Sequence, residues 1–262
     1  MNMTVGELYA RLDGMYPKSL SCSWDNDGMM VCPDPEAEVK RVLVALDASA
    51  AALEYAVKKR FDVVVTHHPM LFRGLKSVTP RSVHGRHVLT ALQNGITVLS
   101  FHTRLDAAEG GVNDALCQAL GLMADGVFGD DECPALGRLV TLAGESEDGV
   151  PAGVVAEHIK TALGCGSVRL NGDPEKPVRR MAVCGGDGKD FIYPALAAGA
   201  DLFLTGDAGY NMAGEAVEDG IVTVEAGHYH TEAPVCRVLA DAVQEMTGAY
   251  AEIYDSCTYT VV

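Results

Sequence analysis

The chain has 262 residues, a formal net charge of −16 and an apolar fraction of 48%. That length accommodates one large domain or two modest ones with a full core, and that charge repels a nucleic-acid backbone, so no DNA or RNA partner is expected. No apolar run is long enough to cross a bilayer, and the first residues lack the basic-then-apolar pattern of a secretory signal, so a cytoplasmic protein with no membrane partner is expected.

In chain order, Thr4 is placed to cap a helix running to Met15, with Glu7 completing a capping box. Strands are predicted at 41–47, 61–66 and 96–101, with helices at 49–60, 82–94 and 111–120 between and after them. The Gly- and Asp-rich stretch 126–134 predicts a linker or exposed loop. A strand at 136–142, a helix at 151–163 and a strand at 167–170 follow. The alternation then resumes: strands at 178–184, 201–205 and 221–225, helices near 190–198, 209–219 and 231–246, and a last strand at 251–257. Strands alternating with helices predict an α/β fold with a mostly parallel, doubly wound sheet.

The two halves resemble each other. Arg41-Val-Leu-Val-Ala, a helix, then Asp62-Val-Val-Val-Thr66 parallels Arg180-Met-Ala-Val-Cys, a helix, then Asp201-Leu-Phe-Leu-Thr205, at the same interval. Duplication is the better reading than the general likeness of all βαβ units. The expected organisation is therefore two similar βαβ-containing halves, 1–125 and 126–262 with an approximate boundary, with a metal cleft between them; the alternative is that both form one structural unit. Eight cysteines are present and none form C-x-x-C, so free, mostly buried thiols are expected rather than a disulfide or zinc framework.

Three predicted strands run into chemistry at their carboxyl ends, where open α/β sheets bind ligands. The strand 61–66 exits into His67-His68-Pro69, 96–101 into His102-Thr-Arg-Leu-Asp106, and 221–225 into Gly227-His228-Tyr-His230-Thr-Glu232. Two adjacent imidazoles at a strand end cannot both be buried, and Pro69 forces an extended exit. Neutral imidazole is a ligand for divalent metals, so these groups point to a metal site, one holding two ions. His228 and Glu232 are at helical spacing; Glu232 is either a ligand or a residue favouring the helix N-terminus, with Thr231 a candidate N-cap. His230 points elsewhere if this segment is helical. Asp106 is either a turn residue or an oxygen ligand, and His102 is read as a donor behind the ligands. Cys184-Gly-Gly-Asp-Gly-Lys189 is either an anion cradle or a tight βα turn. Trp24, the single tryptophan, either packs a turn or walls a substrate cleft.

The segments Trp24-Asp-Asn-Asp-Gly28, Thr66-His-His-Pro69, His102-Thr-Arg-Leu-Asp106, Gly110-Gly-Val-Asn-Asp114, Cys184-Gly-Gly186, Thr205-Gly-Asp207 and Gly227-His-Tyr-His-Thr-Glu232 together span almost the whole chain. In this order they resemble the dinuclear-metal-centre hexameric family of GTP cyclohydrolase I type 2 homologues, also called the NGG-one interacting factor three family. The resemblance implies two divalent ions per subunit, Zn, Mn or Fe, in a hexameric ring. His67 and Asp106 would hold one ion, His68 and His228 the other, and Glu232 would bridge them. Arg104, Asp187, Asn211 and His230 depart from the family pattern without removing a ligand, and the first three are candidates to line the cleft.

The function so implied is a metal-dependent hydrolase of a nucleotide-like small molecule, with ring opening of GTP and loss of formate as the named reaction. His102 is the candidate proton carrier. The rival readings are a non-catalytic hexameric metal-binding scaffold and a metal-dependent phosphoesterase.

Overall fold

Two aspartates set the framework of the matching strands. Asp62 Oδ2 accepts hydrogen bonds from the amides of Lys40 and Arg41, both at 2.8 Å. Asp201 Oδ2 does the same for Arg179 and Arg180, at 2.8 and 3.0 Å. Each carboxylate thus ties the start of its own strand to the start of the strand before it. The computed structural model describes residues 3–142, 149–255 and 257–260.

The chain forms two compact units, Met1–Leu105 with Val235–Thr258, and Asp106–Pro234 with Tyr259–Val262. Each is α/β, as expected. The first holds a five-stranded sheet in the order Gly28–Val31, Thr97–Ser100, Val63–Thr66, Arg41–Ala45, Tyr250–Ile253. All neighbours are parallel except the first pair. The second unit holds a six-stranded sheet: Gly126–Phe128, Gly137–Thr141, Arg180–Val183, Leu202–Thr205, Val222–Glu225, Arg169–Asn171. Its three strands from Arg180 to Glu225 are parallel, flanked by antiparallel neighbours. The shared motif is three parallel strands with an antiparallel strand beside the third.

The helices start where capping predicts. Thr4 and Glu7 form the reciprocal capping box ahead of Val5–Met15. Ser49 caps Ala50–Lys59 and Ser82 caps Val83–Gln93. The parallel strands read as continuous apolar runs because both faces are covered; Val63–Thr66, Thr97–Ser100 and Leu202–Thr205 are buried at every position. One core gathers Leu43, Val64, Val98, Leu53 and Val88; the other gathers Met181, Leu202, Val224, Ile159 and Leu116. Among the described residues no helix is long and apolar enough to cross a membrane.

Several expectations need correction. The division is not at residue 125. The helix Val235–Thr247 and strand Tyr250–Ile253 complete the first sheet, beside Arg41–Ala45, so the first unit is discontinuous in sequence. The expected helix 231–246 is two helices, His228–Glu232 and Val235–Thr247. Pro234 lies at the break, where it has no amide to continue the ladder. The stretch 126–134 is not all loop, because Gly126–Phe128 pairs with Gly137–Leu139. Cys32, Cys117, Cys165, Cys184, Cys236 and Cys257 are free thiols, as expected; Cys22 and Cys133 are not.

Candidate metal centre

In the first unit the buried strand Val63–Thr66 drives straight into His67, which is fully buried, and His68, which is half-buried. Thr66 Oγ1 bonds the His68 carbonyl and Ser100 Oγ, both at 2.8 Å, and so fixes the turn between the strand and the two rings. The neighbouring strand Thr97–Ser100 delivers His102 beside them. Ring centroids are 5.0 Å apart for His67 and His68, 5.2 Å for His67 and His102, and 5.8 Å for His68 and His102. One nitrogen of each ring lies within 4.8 Å of the others, a spacing that can hold a metal ion.

Each of these rings has its Nδ1 bound to an oxygen. His67 Nδ1 lies 2.9 Å from Phe101 O, His68 Nδ1 2.9 Å from Asp47 Oδ1, and His102 Nδ1 2.9 Å from Asp25 Oδ1. With Nδ1–H donating to these oxygens, the lone pair of each neutral ring sits on Nε2. Metal-ligating histidines are oriented in this way.

Asp25 is held hard from several sides. Burial works to raise its pKa, but His102, the Thr103 hydroxyl and the Thr103 amide outweigh it and hold the carboxyl down at about 2. The Thr103 amide and hydroxyl donate to its Oδ2 at 3.0 and 2.6 Å. Trp24, the residue before it, is 54% exposed and stands edge-on to His102 and Phe72, so it walls the His cluster rather than filling a turn.

Arg104 is not a cleft residue. Its side chain is fully buried and makes a bidentate pair with Asp27, Nε–Oδ2 and Nη2–Oδ1 both at 2.9 Å, while Nη1 donates to Asp13 Oδ1 and Tyr16 O. Burial works to raise the Asp27 pKa, but hydrogen bonds from Arg104 and Lys18 pull it below the usual carboxylate range. Arg104 is an internal strut of the loop that carries Asp25.

In the second unit, Gly227 at φ 84° turns the chain out of Val222–Glu225 into the short helix His228–Glu232. The i,i+4 pair forms as predicted, with His228 Nε2 3.2 Å from Glu232 Oε2. His228 Nδ1 lies 2.8 Å from Asp207 Oδ2, so a fourth imidazole has its Nδ1 taken up by an oxygen. Thr231 is no N-cap. It lies inside this helix, and its hydroxyl accepts the Gly186 amide at 3.0 Å. His230 turns away as expected, with Nδ1 3.1 Å from Tyr259 Oη.

The Gly-rich loop resolves to the tight-turn reading. Its Gly185, Gly186 and Gly188 amides are bound by Asn113 Oδ1, Thr231 Oγ1 and Thr205 Oγ1 at 2.8, 3.0 and 3.0 Å, so they do not cradle an anion. Gly186 is required there: its φ is +67°, and a Cβ would sit 2.0 Å from Glu232 Oε1. Asp106, in the helix Thr103–Ala107, is half-buried. The Cys184 thiol is pushed well above its ordinary pKa by burial first, then by the negative charges of Asp106 and Glu232. Asp187 pairs with Lys189 at the surface and Asn211 is exposed.

The sequence reading missed Asp25 and Asp47 as residues that orient the rings, and Gly186 as the space for Glu232. Asp207 stood at a predicted strand end, but its partnership with His228 was not legible. The donors present, three imidazoles in the first unit and an imidazole with the carboxylates Asp106 and Glu232 in the second, are by their own chemistry of the kind that binds divalent metals.

The Duf34/NIF3 (NGG1p interacting factor 3) family pattern matches residues 3–259. A relative from Clostridium perfringens, named GTP cyclohydrolase 1 type 2 homolog, is 31% identical over 254 residues, 95% of each chain. One of the same name from Streptomyces coelicolor is 35% identical and covers 94% of this chain and 87% of its own. The crystal structure of Staphylococcus aureus hypothetical protein SA1388 superposes with a TM-score of 0.88 at 23% identity over 100% of both chains, a likeness of fold. The chain belongs to the Duf34/NIF3 family.

Proposed function

We propose that this Duf34/NIF3 protein binds two divalent ions and hydrolyses a nucleotide-like small molecule. The observation that carries the reading is the common preparation of His67, His68, His102 and His228, each ring held through Nδ1 by an oxygen. In the proposed ligand set His67 and Asp106 would hold one ion and His68 and His228 the other, with Glu232 as a further carboxylate ligand. Two divalent ions, when bound, lower the pKa of a water and polarise the group it attacks.

The protein's own residues then have distinct tasks. Asp25, Asp47 and Asp207 hold rings in one orientation. Gly186 leaves the space that Glu232 occupies. His102 was read from the sequence as a proton carrier, but its spacing from His67 and His68 and its bond to Asp25 match a ligand better. A His102→Ala variant separates the roles. Loss of bound metal makes it a ligand; full metal content with turnover cut about a hundredfold makes it an acid–base group.

The names of the relatives suggest GTP as the substrate class. The deciding experiment loads the full chain with Zn, Mn or Fe and measures formate and phosphate release from a nucleotide panel. Metal-dependent release of either supports the hydrolase, and which one appears separates ring opening from phosphoester cleavage. Silence across the panel with metal bound replaces the reading with a metal-binding scaffold. A homohexamer is proposed from the family resemblance and from the prevalence of closed symmetry in homo-oligomers. Sedimentation showing only monomer at micromolar concentration contradicts it.

A further inference from the structure

In the second unit the strand Val222–Glu225 ends on Glu225, whose partner across the sheet is Arg169 of the antiparallel edge strand. The Glu225 side chain is 9% exposed and its oxygens are saturated. They accept Arg169 Nη1 at 3.1 and 3.2 Å, Asn171 Nδ2 at 3.1 Å and the Ala208 amide at 3.2 Å. A buried, fully bonded carboxylate therefore holds an Arg169 side chain that is itself 65% exposed. Only Nη1 of the guanidinium is used in this pair; Nε and Nη2 make no hydrogen bond to the described residues.

Beside this guanidinium lies a cavity of about 560 Å³ whose lining includes Arg169, Glu225, Asp207, His228, His230 and Tyr259. That volume is in the range of small-molecule sites. Its wall carries the proposed ligand His228 together with a fixed cation, an imidazole and a phenol. The imidazole and phenol are bonded to each other through His230 Nδ1 and Tyr259 Oη. Gly227 is kept small by the same arrangement, since a Cβ there would lie 2.6 Å from Tyr259 Oη. In a chain of net charge −16, a cation clamped at the wall of a cavity is a local exception.

We propose that this cavity is the anion subsite of the substrate pocket and that Arg169 binds a phosphate group of the substrate through its free Nε and Nη2 edge. The inference rests on the nucleotide-hydrolase reading above and adds which residue recognises the phosphate. The planar guanidinium matches two phosphate oxygens at once. Glu225 is a positioning residue that keeps the fork in place.

The test is isothermal titration of the full chain, zinc-loaded and zinc-free, with guanosine 5′-monophosphate, guanosine and inorganic phosphate as probes. Arg169→Gln is expected to weaken the monophosphate about ten- to a hundredfold, the scale of a charge-assisted hydrogen bond, and to leave guanosine unchanged, with or without zinc. Arg169→Lys, which keeps the charge but loses the fork, is expected to fall between and stands in if the glutamine variant does not fold. Equal monophosphate affinity in the natural chain and both variants overturns the proposal, as does failure of the natural chain to bind either monophosphate or phosphate. If phosphate binding depends on Arg169 while no nucleotide is hydrolysed with any metal, the anion subsite stands and the hydrolase reading falls, so the two fail separately.

Discussion

The two units share a strand motif but use its exit differently. In the first, Asp62 brackets the strands and Val63–Thr66 runs into His67 and His68, so the strand end supplies imidazoles itself. In the second, Asp201 makes the same bracket, and Leu202–Thr205 runs into Gly206 and Asp207. There the strand end supplies a carboxylate that orients an imidazole. Gly206 leaves room for the His228 backbone, which would lie 2.7 Å from an added Cβ, and Asp207 takes His228 Nδ1. On the proposed ligand set, equivalent positions in two similar units thus differ, one supplying ligands and the other aiming one. The bracketing bonds are kept because every strand start needs its amides satisfied; the exits are free to diverge.

The largest effect that sharpens this contrast is on stability in the first unit. Arg104→Leu would take its bidentate partner from Asp27, whose side chain is fully buried, and should cost about 3–5 kcal/mol by denaturant titration, the scale for breaking a buried pair. A loss below about 1 kcal/mol would mean that Arg104 is not the strut of the Asp25 loop. The second unit has its own point of failure. Gly186→Ala combines a left-handed φ with a Cβ 2.0 Å from Glu232 Oε1, and should cost about 1–3 kcal/mol while displacing Glu232 and weakening metal binding. An unchanged metal affinity would remove Glu232 from the ligand set.

Smaller effects compare the aiming carboxylates directly. Asp47→Asn in the first unit and Asp207→Asn in the second each disturb one Nδ1 partnership, and each should weaken metal binding about 10- to 100-fold in a competition titration. If only one does so, the two exits are not doing related work. The pH dependence of the metal-free protein comes last. Asp25, at about 2, lies below its unfolded value of 3.8, so its contribution is complete above pH 4 and is lost as pH falls toward 2. About 2 kcal/mol of stability should disappear over that window. Asp25→Asn should flatten that part of the acid-unfolding curve.

How much was legible follows from which features are local. The parallel strands were readable because they are buried on both faces and so are unbroken runs such as Val63-Val-Val-Thr66. The capping box at Thr4 and Glu7 was readable for the same reason, being contained in four residues. The short antiparallel strand Gly28–Val31 was not, because a Gly followed by two methionines carries no alternation. The affiliation of Val235–Ile253 with the first sheet depends on long-range pairing that no local pattern records. At the candidate site, the histidines at strand ends were readable as candidates. Their carboxylate partners did not, since Asp25 is 77 positions from His102 and Asp47 is 21 from His68. Arg104 was misread because a buried guanidinium looks, in sequence, like any exposed one.

The proposal that the oriented imidazoles of both units ligate divalent ions is tested most directly by metal stoichiometry. Elemental analysis of the full chain equilibrated with excess zinc, manganese or iron and then desalted should find about two ions per chain. His68→Ala should keep about one, and Glu232→Ala should bind both more weakly. A natural chain that retains no ion, or a Glu232→Ala variant that retains both as tightly as before, would contradict the account.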